Sequence, residues 1–296
     1  METDYAALKK GGFMRQKQKD RFSVRLRVAG GQLSAAQLAA IARSAEKYGQ
    51  GAVHLTSRQG VEIPFIALKD IDAVKKDLAG GGVSVGVCGP RVRTVTACQG
   101  AGICPSGLIE TSGLAKELDE RYFGRELPHK FKIGITGCKN NCLKAEENDL
   151  GIKGGVFPVW KKDACSFCGL CEAVCPSKAI GVNQQEKTLV FNKDLCVYCG
   201  KCIKSCPEGA WEGKNGYMLS FGGMFANEIR TGQNLLPLLD TKEQVIQAAD
   251  TALAFYKEHG KAGERFGKTI ARLGGEALTA ALKTALSAPE ARVEGA

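Results

Sequence analysis

The segments CSFCGLCEAVCP (residues 165–176) and CVYCGKCIKSCP (residues 196–207) share one cysteine spacing, C-x2-C-x2-C-x3-C-P. Each cysteine of the second segment follows its counterpart by 31 residues, as Cys196 follows Cys165. A duplicated run of four thiolates closed by proline predicts two [4Fe–4S] clusters, with the fourth cysteine of each run bound to the other cluster. Zinc sites and a disulfide framework are the alternatives, but their cysteine spacings do not produce this duplication.

The exchange of the fourth cysteine assigns eight thiolates to two clusters. The ligands expected for the first cluster are Cys165, Cys168, Cys171 and Cys206. The ligands expected for the second cluster are Cys196, Cys199, Cys202 and Cys175. Residues 161–212 are therefore predicted to form a two-cluster domain of the bacterial ferredoxin type, with a β-hairpin near residues 180–191 between its halves.

A third group of cysteines has a different spacing. Cys98 and Cys104 form a C-x5-C pair (CQGAGIC), and Cys138 and Cys142 form a C-x3-C pair (CKNNC). Four thiolates can hold one more cubane, so the sequence predicts three [4Fe–4S] clusters in all. The remaining cysteine, Cys88 in GVCGP, is predicted to be a small buried thiol and not a ligand.

The composition excludes several classes of protein. The chain has 296 residues, of which 44% are hydrophobic, so it can form two or three globular domains. Its net charge of +10 favours an anionic partner. The basic residues are spread along the chain and only 7% of residues are aromatic, which disfavours a nucleic-acid surface.

No targeting or membrane segment is expected. The N-terminal sequence METDYAALKK has no apolar core of a signal peptide, and no run of about eighteen apolar residues occurs. Cluster thiolates need a reducing compartment. The sequence therefore predicts a cytoplasmic protein of an anaerobic or low-oxygen cell that makes no contact with a membrane.

Periodicity predicts an α+β fold in which the N-terminal half-domain covers residues 1–82. Val24, Leu26 and Val28 alternate with polar residues, as in a half-buried strand. Ser34 and Gln37 form a capping box that opens an amphipathic helix. Further strands and a second helix give the order β-α-β-β-α, and the GGG at residues 80–82 marks the boundary.

A second α/β domain is predicted over residues 83–160 and 213–296, interrupted by the cysteine-rich insertion. After the insertion, Thr241 and Gln244 form another capping box before a long helix. A separate C-terminal domain is the alternative to this discontinuous one. The remaining elements expected here are strands at residues 92–96, 131–135 and 217–221 and helices near residues 114–122 and 264–272.

Three predicted strands each carry two cations on one face. The pairs are Arg25 with Arg27, Arg91 with Arg93, and Lys130 with Lys132. Alternate residues of a strand point to the same side of a sheet. The pairs are therefore either ordinary solvent-exposed strand faces or cations that converge on an anion.

The order of these segments resembles the sirohaem sulfite and nitrite reductases. The similar segments are FSVRLRVAGG, AVHLTSRQGVEIPF, RVRTV before the C-x5-C pair and LPHKFKI before CKNNC. The resemblance covers roughly residues 11–273 and is closest to the C-subunit type of anaerobic sulfite reductase and to small dissimilatory-type relatives. It implies a ferredoxin-like half-domain followed by a domain that binds sirohaem and a cubane.

The resemblance also implies roles for individual residues. Those expected to surround the substrate anion are Arg25, Arg93, Lys130 and Lys132. Those expected to contact sirohaem are His54, Thr56, Arg58, Gln59, Asn140 and Asn141. Cys142 would bridge the cubane to the sirohaem iron. Lys139 departs from the family pattern, in which many members have proline directly after the first cysteine of this pair.

The function that the resemblance implies is six-electron reduction of sulfite to sulfide, with electrons relayed through the inserted domain. The alternatives are a sirohaem nitrite reductase, which produces ammonia, and a haem-free carrier with three cubanes. The larger family members hold two copies of the catalytic unit, whereas this chain holds one. A homodimer or a complex with reductase subunits or another electron-donor protein is therefore expected.

Overall fold

The N-terminal part of the chain is an antiparallel sheet packed against two helices in this computed structural model, which describes residues 3–287. Its elements are α1 (Tyr5–Lys10), β1 (Phe13–Arg15), β2 (Arg21–Arg25), α2 (Ala35–Tyr48), β3 (His54–Leu55), β4 (Val61–Ala67) and α3 (Ile71–Gly80). The strand order is β1-β2-β4-β3, and every neighbouring pair is antiparallel.

The predicted alternation along β2 is confirmed, but the strand is shorter than expected. Val24 and Leu26 are buried in the core of this sheet. The strand ends at Arg25, because Leu26 pairs with Val85 of the following segment. The predicted capping box is also confirmed, since the Ser34 side chain accepts from the Gln37 amide and the Gln37 side chain accepts in return.

A second sheet begins after residue 83. Its first elements are β5 (Thr96–Ala97), α4 (Ser112–Tyr122), β6 (Ile133–Thr136) and β7 (Leu150–Trp160). The strand expected over residues 92–96 is mostly irregular, because the Asp119 carboxylate accepts the Val95 amide and Gly124 donates to the Val92 carbonyl. β5, β6 and β7 are parallel neighbours.

The cysteine-rich segment follows β7 and forms a small unit with its own core. Its elements are α5 (Leu170–Ala173), β8 (Ile180–Asn183), β9 (Thr188–Phe191) and α6 (Lys201–Ser205). The predicted hairpin is confirmed as the antiparallel pair of β8 and β9. Ile180, Trp211 and the cysteines Cys171 and Cys202 are buried together between these elements.

The chain then returns to the second sheet. The last elements are β10 (Trp211–Phe221), β11 (Met224–Phe225), β12 (Ile229–Arg230), α7 (Lys242–His259), α8 (Phe266–Leu273) and α9 (Gly275–Ser287). β10 pairs with β7 along its whole length, from Trp211 opposite Trp160 to Phe221 opposite Leu150. The cysteine-rich segment thus leaves and rejoins the sheet at one end of this long antiparallel pair.

β7 is a strand that the sequence pattern did not indicate. Its segment LGIKGGVFPVW contains three glycines and one proline, residue types that are unfavourable in strand interiors. The structure explains Gly154, because a Cβ at this position would lie 2.3 Å from the Gly137 carbonyl oxygen. Glycine therefore allows β7 to lie directly against the segment that precedes Cys138.

Of the helices within residues 3–287, none has the length and apolar character needed to cross a bilayer.

The capping box predicted for α7 is confirmed, with Thr241 and Gln244 bonded reciprocally. The helix expected at residues 264–272 is α8, which begins slightly later. α9 was not indicated by the sequence pattern.

Candidate anion-binding cavity and cysteine clusters

A cavity of about 250 Å³ lies between the N-terminal sheet and the second sheet. Six of the residues predicted from the sequence line it together: Arg25, Thr56, Arg58, Arg93, Lys130 and Lys132. They come from four separate segments of the chain. The other two strand cations turn away from it, because Arg27 pairs with Asp119 at 2.6 Å and Arg91 with Glu126 at 2.7 Å.

The two predicted substrate arginines are held by protein partners. Arg25 donates through Nε to Glu62 Oε1 at 2.7 Å, and its Nη1 lies 3.0 Å from Cys88 Sγ. Arg93 donates to the carbonyl oxygens of Val87 at 2.8 Å and Gly89 at 3.0 Å. Both guanidinium groups are therefore fixed in place, and their charge acts on the cavity, although Arg93 Nε is buried without a hydrogen-bond partner. Cys88 is buried, as its sequence context predicted.

Arg58 is a third fixed guanidinium group. Its two terminal nitrogens donate to Asn148 Oδ1 at 2.8 Å and to the Thr94 carbonyl at 3.2 Å. Burial lowers the pKa of Arg58 to about 10, with repulsion from Arg93 and other arginines acting in the same direction and Asp149 opposing it. Arg58 is nevertheless a cation at neutral pH.

The two lysines differ from the arginines, because no hydrogen bond or ion pair within the described chain engages their ammonium groups. Burial, followed by repulsion from Arg58 and Arg265, lowers the pKa of Lys132 to about 8. Burial and the charges of Arg265 and Arg93 also lower the pKa of Lys130. Lys130 and Lys132 are therefore cations near neutral pH that can donate hydrogen bonds to a ligand.

The position of both lysines is set by the residue between them. Phe131 is fully buried and packs against Phe266 at 5.3 Å and Tyr256 at 5.9 Å between ring centroids. Side chains alternate along an extended segment, so burial of Phe131 turns its two neighbours toward the opposite side. That side is the cavity.

The segment predicted to contact sirohaem has mixed roles. Gln59 bonds the backbone of Ala97 through both ends of its amide, at 2.8 and 3.0 Å, and so joins the two sheets. Thr56 accepts the Gly60 amide at 3.0 Å and closes the turn that presents Arg58. His54 is exposed on β3, at the edge of the N-terminal sheet.

The CKNNC loop places its two asparagines differently. The Asn141 side chain accepts the Ala145 amide at 2.8 Å and donates to Glu146, so it is used within the loop. Asn140 is exposed. Cys142 is exposed as well, whereas Cys138 is buried. The exposed sulfur of Cys142 is accessible to a ligand outside the loop.

The first cysteine pair meets this loop directly. Cys98 Sγ accepts the Gly137 amide at 3.0 Å, so the sulfur lies beside the residue that precedes Cys138. Cys104 is half-buried at the end of the turn that follows Cys98. An amide N–H directed at a cysteine sulfur stabilises thiolate charge, which fits a cluster ligand.

The inserted segment brings its eight cysteines into two groups of four. One small cavity is lined by Cys165, Cys168, Cys171 and Cys206. The other is lined by Cys175, Cys196, Cys199 and Cys202. These are the two groups that exchange of the fourth cysteine predicts.

The backbone around the two groups is equivalent. Cys165 and Cys196 each accept an amide at 3.4 Å from the residue two positions later. Cys175 and Cys206 each accept an amide at 3.2 Å from the residue four positions later. Among residues 3–287, no group of three or more Cys, His, Asp or Glu side chains converges on a single ion. A cubane holds its thiolates on four different irons, so this donor set fits cubanes.

Family comparison agrees with this geometry. The sequence profile of the nitrite/sulfite reductase ferredoxin-like half domain matches residues 14–80. The profile of the nitrite and sulphite reductase 4Fe-4S domain matches residues 88–289. The chain belongs to this family of oxidoreductases. The predicted family and the predicted half-domain at the N-terminus are thereby confirmed.

Several relatives carry sulfite reductase names. The coenzyme F420-dependent sulfite reductase of Methanocaldococcus jannaschii is 35% identical over 75% of this chain and 35% of its own length. The C-subunit of the anaerobic sulfite reductase of Salmonella typhimurium is 33% identical over 53% of this chain and 50% of its own length. An uncharacterized protein of M. jannaschii is 32% identical over 82% of this chain and 85% of its own length. The chain thus spans about a third to a half of the two named relatives.

The fold is shared with a dissimilatory sulfite reductase I structure. The TM-score is 0.72 at 20% identity, and the match covers 93% of this chain and 73% of that one. The Mycobacterium tuberculosis NirA structure gives a TM-score of 0.65 at 18% identity, over 96% of this chain and 46% of that one. These likenesses establish the fold, within which the cavity and the cysteine groups lie.

Some residues that surround the cavity without lining it carry no sequence signal. Glu62 and Asn148 hold two of its arginines, and Asp149 and Arg265 form a buried ion pair close to its lysines. Glu62 alternates with apolar residues on β4, which is the ordinary pattern of an exposed strand residue. Only the fold brings these side chains to the cavity.

Proposed function

We propose that this chain is the catalytic unit of a sirohaem- and [4Fe–4S]-containing sulfite reductase. The observation that carries the proposal is the cavity into which Arg25, Arg93, Lys130 and Lys132 converge in a chain of this family. Sirohaem coupled to a cubane would supply the iron and the electrons for six-electron reduction of sulfite to sulfide. The exposure of Cys142 supports it as the residue that would hold the two groups together.

The role of the cavity residues follows from their charges. A cation 4 Å from an anionic charge contributes roughly 4 kcal/mol of attraction at an effective dielectric constant near 20. Arg25 and Arg93 would hold a fixed positive field, because protein partners fix both guanidinium groups. Lys130 and Lys132 would donate hydrogen bonds to the oxygens of sulfite.

Proton transfer is assigned to the lysines. Lys132 has a pKa of about 8, so it carries a proton at Nζ at neutral pH and can release it to an oxygen that leaves sulfur. A guanidinium group is a poorer proton donor, because it holds its proton far above neutral pH. The cavity therefore combines fixed charges that bind and lysines that can also donate protons.

The cysteine-rich segment is proposed to be an inserted two-cluster ferredoxin domain that relays electrons. The proposed division is residues 1–82, residues 83–160 with 213–296, and the insertion 161–212. The two groups of four cysteines and their equivalent N–H···S bonds support two cubanes there. Cys98, Cys104, Cys138 and Cys142 would bind the third.

Cofactor content tests this function. Protein prepared anaerobically should contain about twelve cubane irons and one haem iron, and should show the chlorin-type bands of sirohaem. About eight irons without chlorin bands would contradict a coupled site. Steady-state kcat/KM with sulfite should exceed that with nitrite.

Sirohaem nitrite reduction is the second candidate. A ferredoxin–nitrite reductase of Leptolyngbya laminosa is 30% identical over 57% of this chain and 36% of its own length. Nitrite is a smaller anion that the same cations can bind. A higher kcat/KM with nitrite would assign the chain to this activity. A protein with cubanes and no haem would leave the electron-carrier alternative.

A further inference from the structure

A buried ion pair lies behind the cationic cavity. Arg265 Nη2 is 2.8 Å from Asp149 Oδ2 and 3.0 Å from Asp149 Oδ1, although the two residues are 116 positions apart. Their side chains are 6% and 0% exposed. A buried pair is costly to desolvate and often contributes less stability than apolar residues of similar size. Its presence therefore calls for an explanation other than stability.

Asp149 is also bonded to the segment that carries the lysines. Its Oδ2 accepts the backbone amide of Lys132 at 2.9 Å. The amide of Leu150, the residue after Asp149, donates to the Lys132 carbonyl at 3.0 Å. On the other side, Arg265 directly precedes Phe266, whose ring packs against Phe131 at 5.3 Å. The pair and the lysine segment thus form one packed unit.

Asp149 supplies the negative charge that acts on the two lysines. The charged groups that act on Lys132 are Arg58, Arg265, Lys130 and Asp149, and only Asp149 is an anion. For Lys130 they are Arg265, Arg93 and Asp149. Glu62, the other carboxylate close to the cavity, is bound by Arg25. Asp149 is therefore the carboxylate that favours the charged form of both lysines.

We propose that Asp149 is a positioning residue of the anion cavity, which places the Lys132 backbone and offsets, at both lysines, the repulsion from Arg265 and the other surrounding cations. The inference rests on the proposed anion-binding function. It explains why an ionised pair occupies a site that apolar side chains could fill. It also predicts opposite effects when the two partners are neutralised one at a time.

The test measures the titration of Lys132 by competitive amine labelling of the intact chain at a series of pH values, read by mass spectrometry. Asp149→Asn should move the labelling midpoint down by about one pH unit, because an attractive charge is lost. Arg265→Gln should move it up by a similar amount, because a repulsive charge is lost. The double variant should return it close to the wild-type value. The exposed Lys257 serves as an internal reference in every sample.

A purely structural role gives a different pattern. Both single variants would then shift the midpoint in the same direction, toward that of an exposed lysine, or would leave it unchanged, and either result would overturn the inference. If Asp149→Asn does not fold, Arg265→Gln and the double variant still decide the direction in which the Lys132 labelling midpoint moves. Asp149→Glu, which keeps the charge, should restore the wild-type midpoint.

Sulfite binding separates this inference from the function on which it rests. At pH 7.5, Asp149→Asn should weaken sulfite binding about threefold, because a fall of about one unit from a Lys132 pKa near 8 lowers the protonated fraction from about three-quarters to about one-quarter. A wild-type chain that does not bind sulfite but shows the opposite labelling shifts would refute the proposed substrate and support the charge balance. Sulfite binding that is unchanged in Asp149→Asn would count against the inference alone.

Discussion

At the scale of single residues, the cavity contains two kinds of cation: guanidinium groups that are bonded to protein oxygens, and ammonium groups that are available to bind a ligand. Three guanidinium groups are bonded to carboxylate, carbonyl or amide oxygens, whereas the two lysine ammonium groups have no partner in the described part of the chain. Fixed charge contributes a field without reorganisation, which is the requirement for stabilising charge that develops as a bond breaks. The unpaired lysines of the described chain contribute donors and protons.

Lys132→Met should abolish the fall in anion affinity that occurs in the wild-type chain as the pH rises through 8. In the wild-type chain Lys132 is protonated below a pKa of about 8, so binding of sulfite should weaken as the pH rises through that value. In the variant, binding at pH 7 should be about tenfold weaker and should change little between pH 7 and 9. Equilibrium titrations across this pH range measure the affinity. They use both sulfite and nitrite, because the two anions differ in their own protonation.

The control for that variant is Lys257→Met, at an exposed position of α7. It removes the same charge at a site far along the chain from the cavity, and it should keep wild-type binding at every pH. Equal effects of the two substitutions would assign the pH dependence to net charge and not to the cavity.

At the scale of elements, the long pair of β7 and β10 connects the two kinds of cysteine site. Its far end joins the cysteine-rich segment at Trp160 and Trp211. Its middle lies against the CKNNC region, because Gly154 contacts the Gly137 backbone. In addition, Lys204 of α6 donates to the Pro105 carbonyl at 3.3 Å, next to Cys104.

Gly154→Ala should damage the third cysteine site and leave the inserted one intact. A Cβ there would lie 2.3 Å from the Gly137 oxygen, and backbone must shift to remove the overlap. We expect a loss of stability of about 1–3 kcal/mol and about four fewer irons per chain. Iron analysis and thermal unfolding measure the two effects. Gly181→Ala in β8, where no atom lies within 4 Å of the new Cβ, should change neither quantity.

The inserted segment should be separable from the cavity. Cys165→Ser and Cys199→Ser each remove one thiolate from one of its two groups. Each should lower electron transfer from a protein donor at least tenfold, equivalent to about 1.4 kcal/mol in the barrier, while sulfite binding stays at the wild-type level. Cys88→Ser is the matched control for iron content alone, because Cys88 lies outside all three groups but its sulfur contacts Arg25. Loss of sirohaem bands in Cys165→Ser would show that the segment is not an independent relay.

At the scale of the whole molecule, the fold matches 93% of this chain to 73% of a dissimilatory sulfite reductase chain. The match to the NirA structure covers only 46% of that protein. Cys142 and β3, which carry residues expected to contact sirohaem, are both exposed. Closed symmetric dimers are the commonest homo-oligomers and would cover exposed residues of this kind.

We therefore expect the active form to be a homodimer or a complex with further subunits. Sedimentation of anaerobically prepared protein should give at least twice the mass of the 31.5 kDa chain. Dilution that separates the subunits should lower activity in parallel with the dissociation. A monomer with full activity would show that one copy of the unit completes the site by itself.

Many of the helices, the hairpin and the cysteine groups could be predicted from the sequence, because the residue patterns that indicate them are local. The spacing of Cys165 to Cys175 and its repeat, the capping boxes at Ser34 and Thr241, and the alternation around Phe131 each depend on residues within a turn or a strand. These patterns follow from ligand geometry and from side-chain periodicity. The structure forms the predicted helices and hairpin, and it groups the eight cysteines of the inserted segment in the two predicted fours.

The family resemblance selected Arg25, Arg93, Lys130 and Lys132, but only the tertiary structure decided what surrounds these cations. Arg25 and Arg27 look equivalent in the sequence, yet Arg25 lines the cavity and Arg27 pairs with Asp119 across 92 positions. The pairing of Asp149 with Arg265 spans 116 positions. Electrostatic and packing partners are set by distance in space, and a burial cost that depends on the complete fold decides whether a charge is free, paired or shifted in pKa.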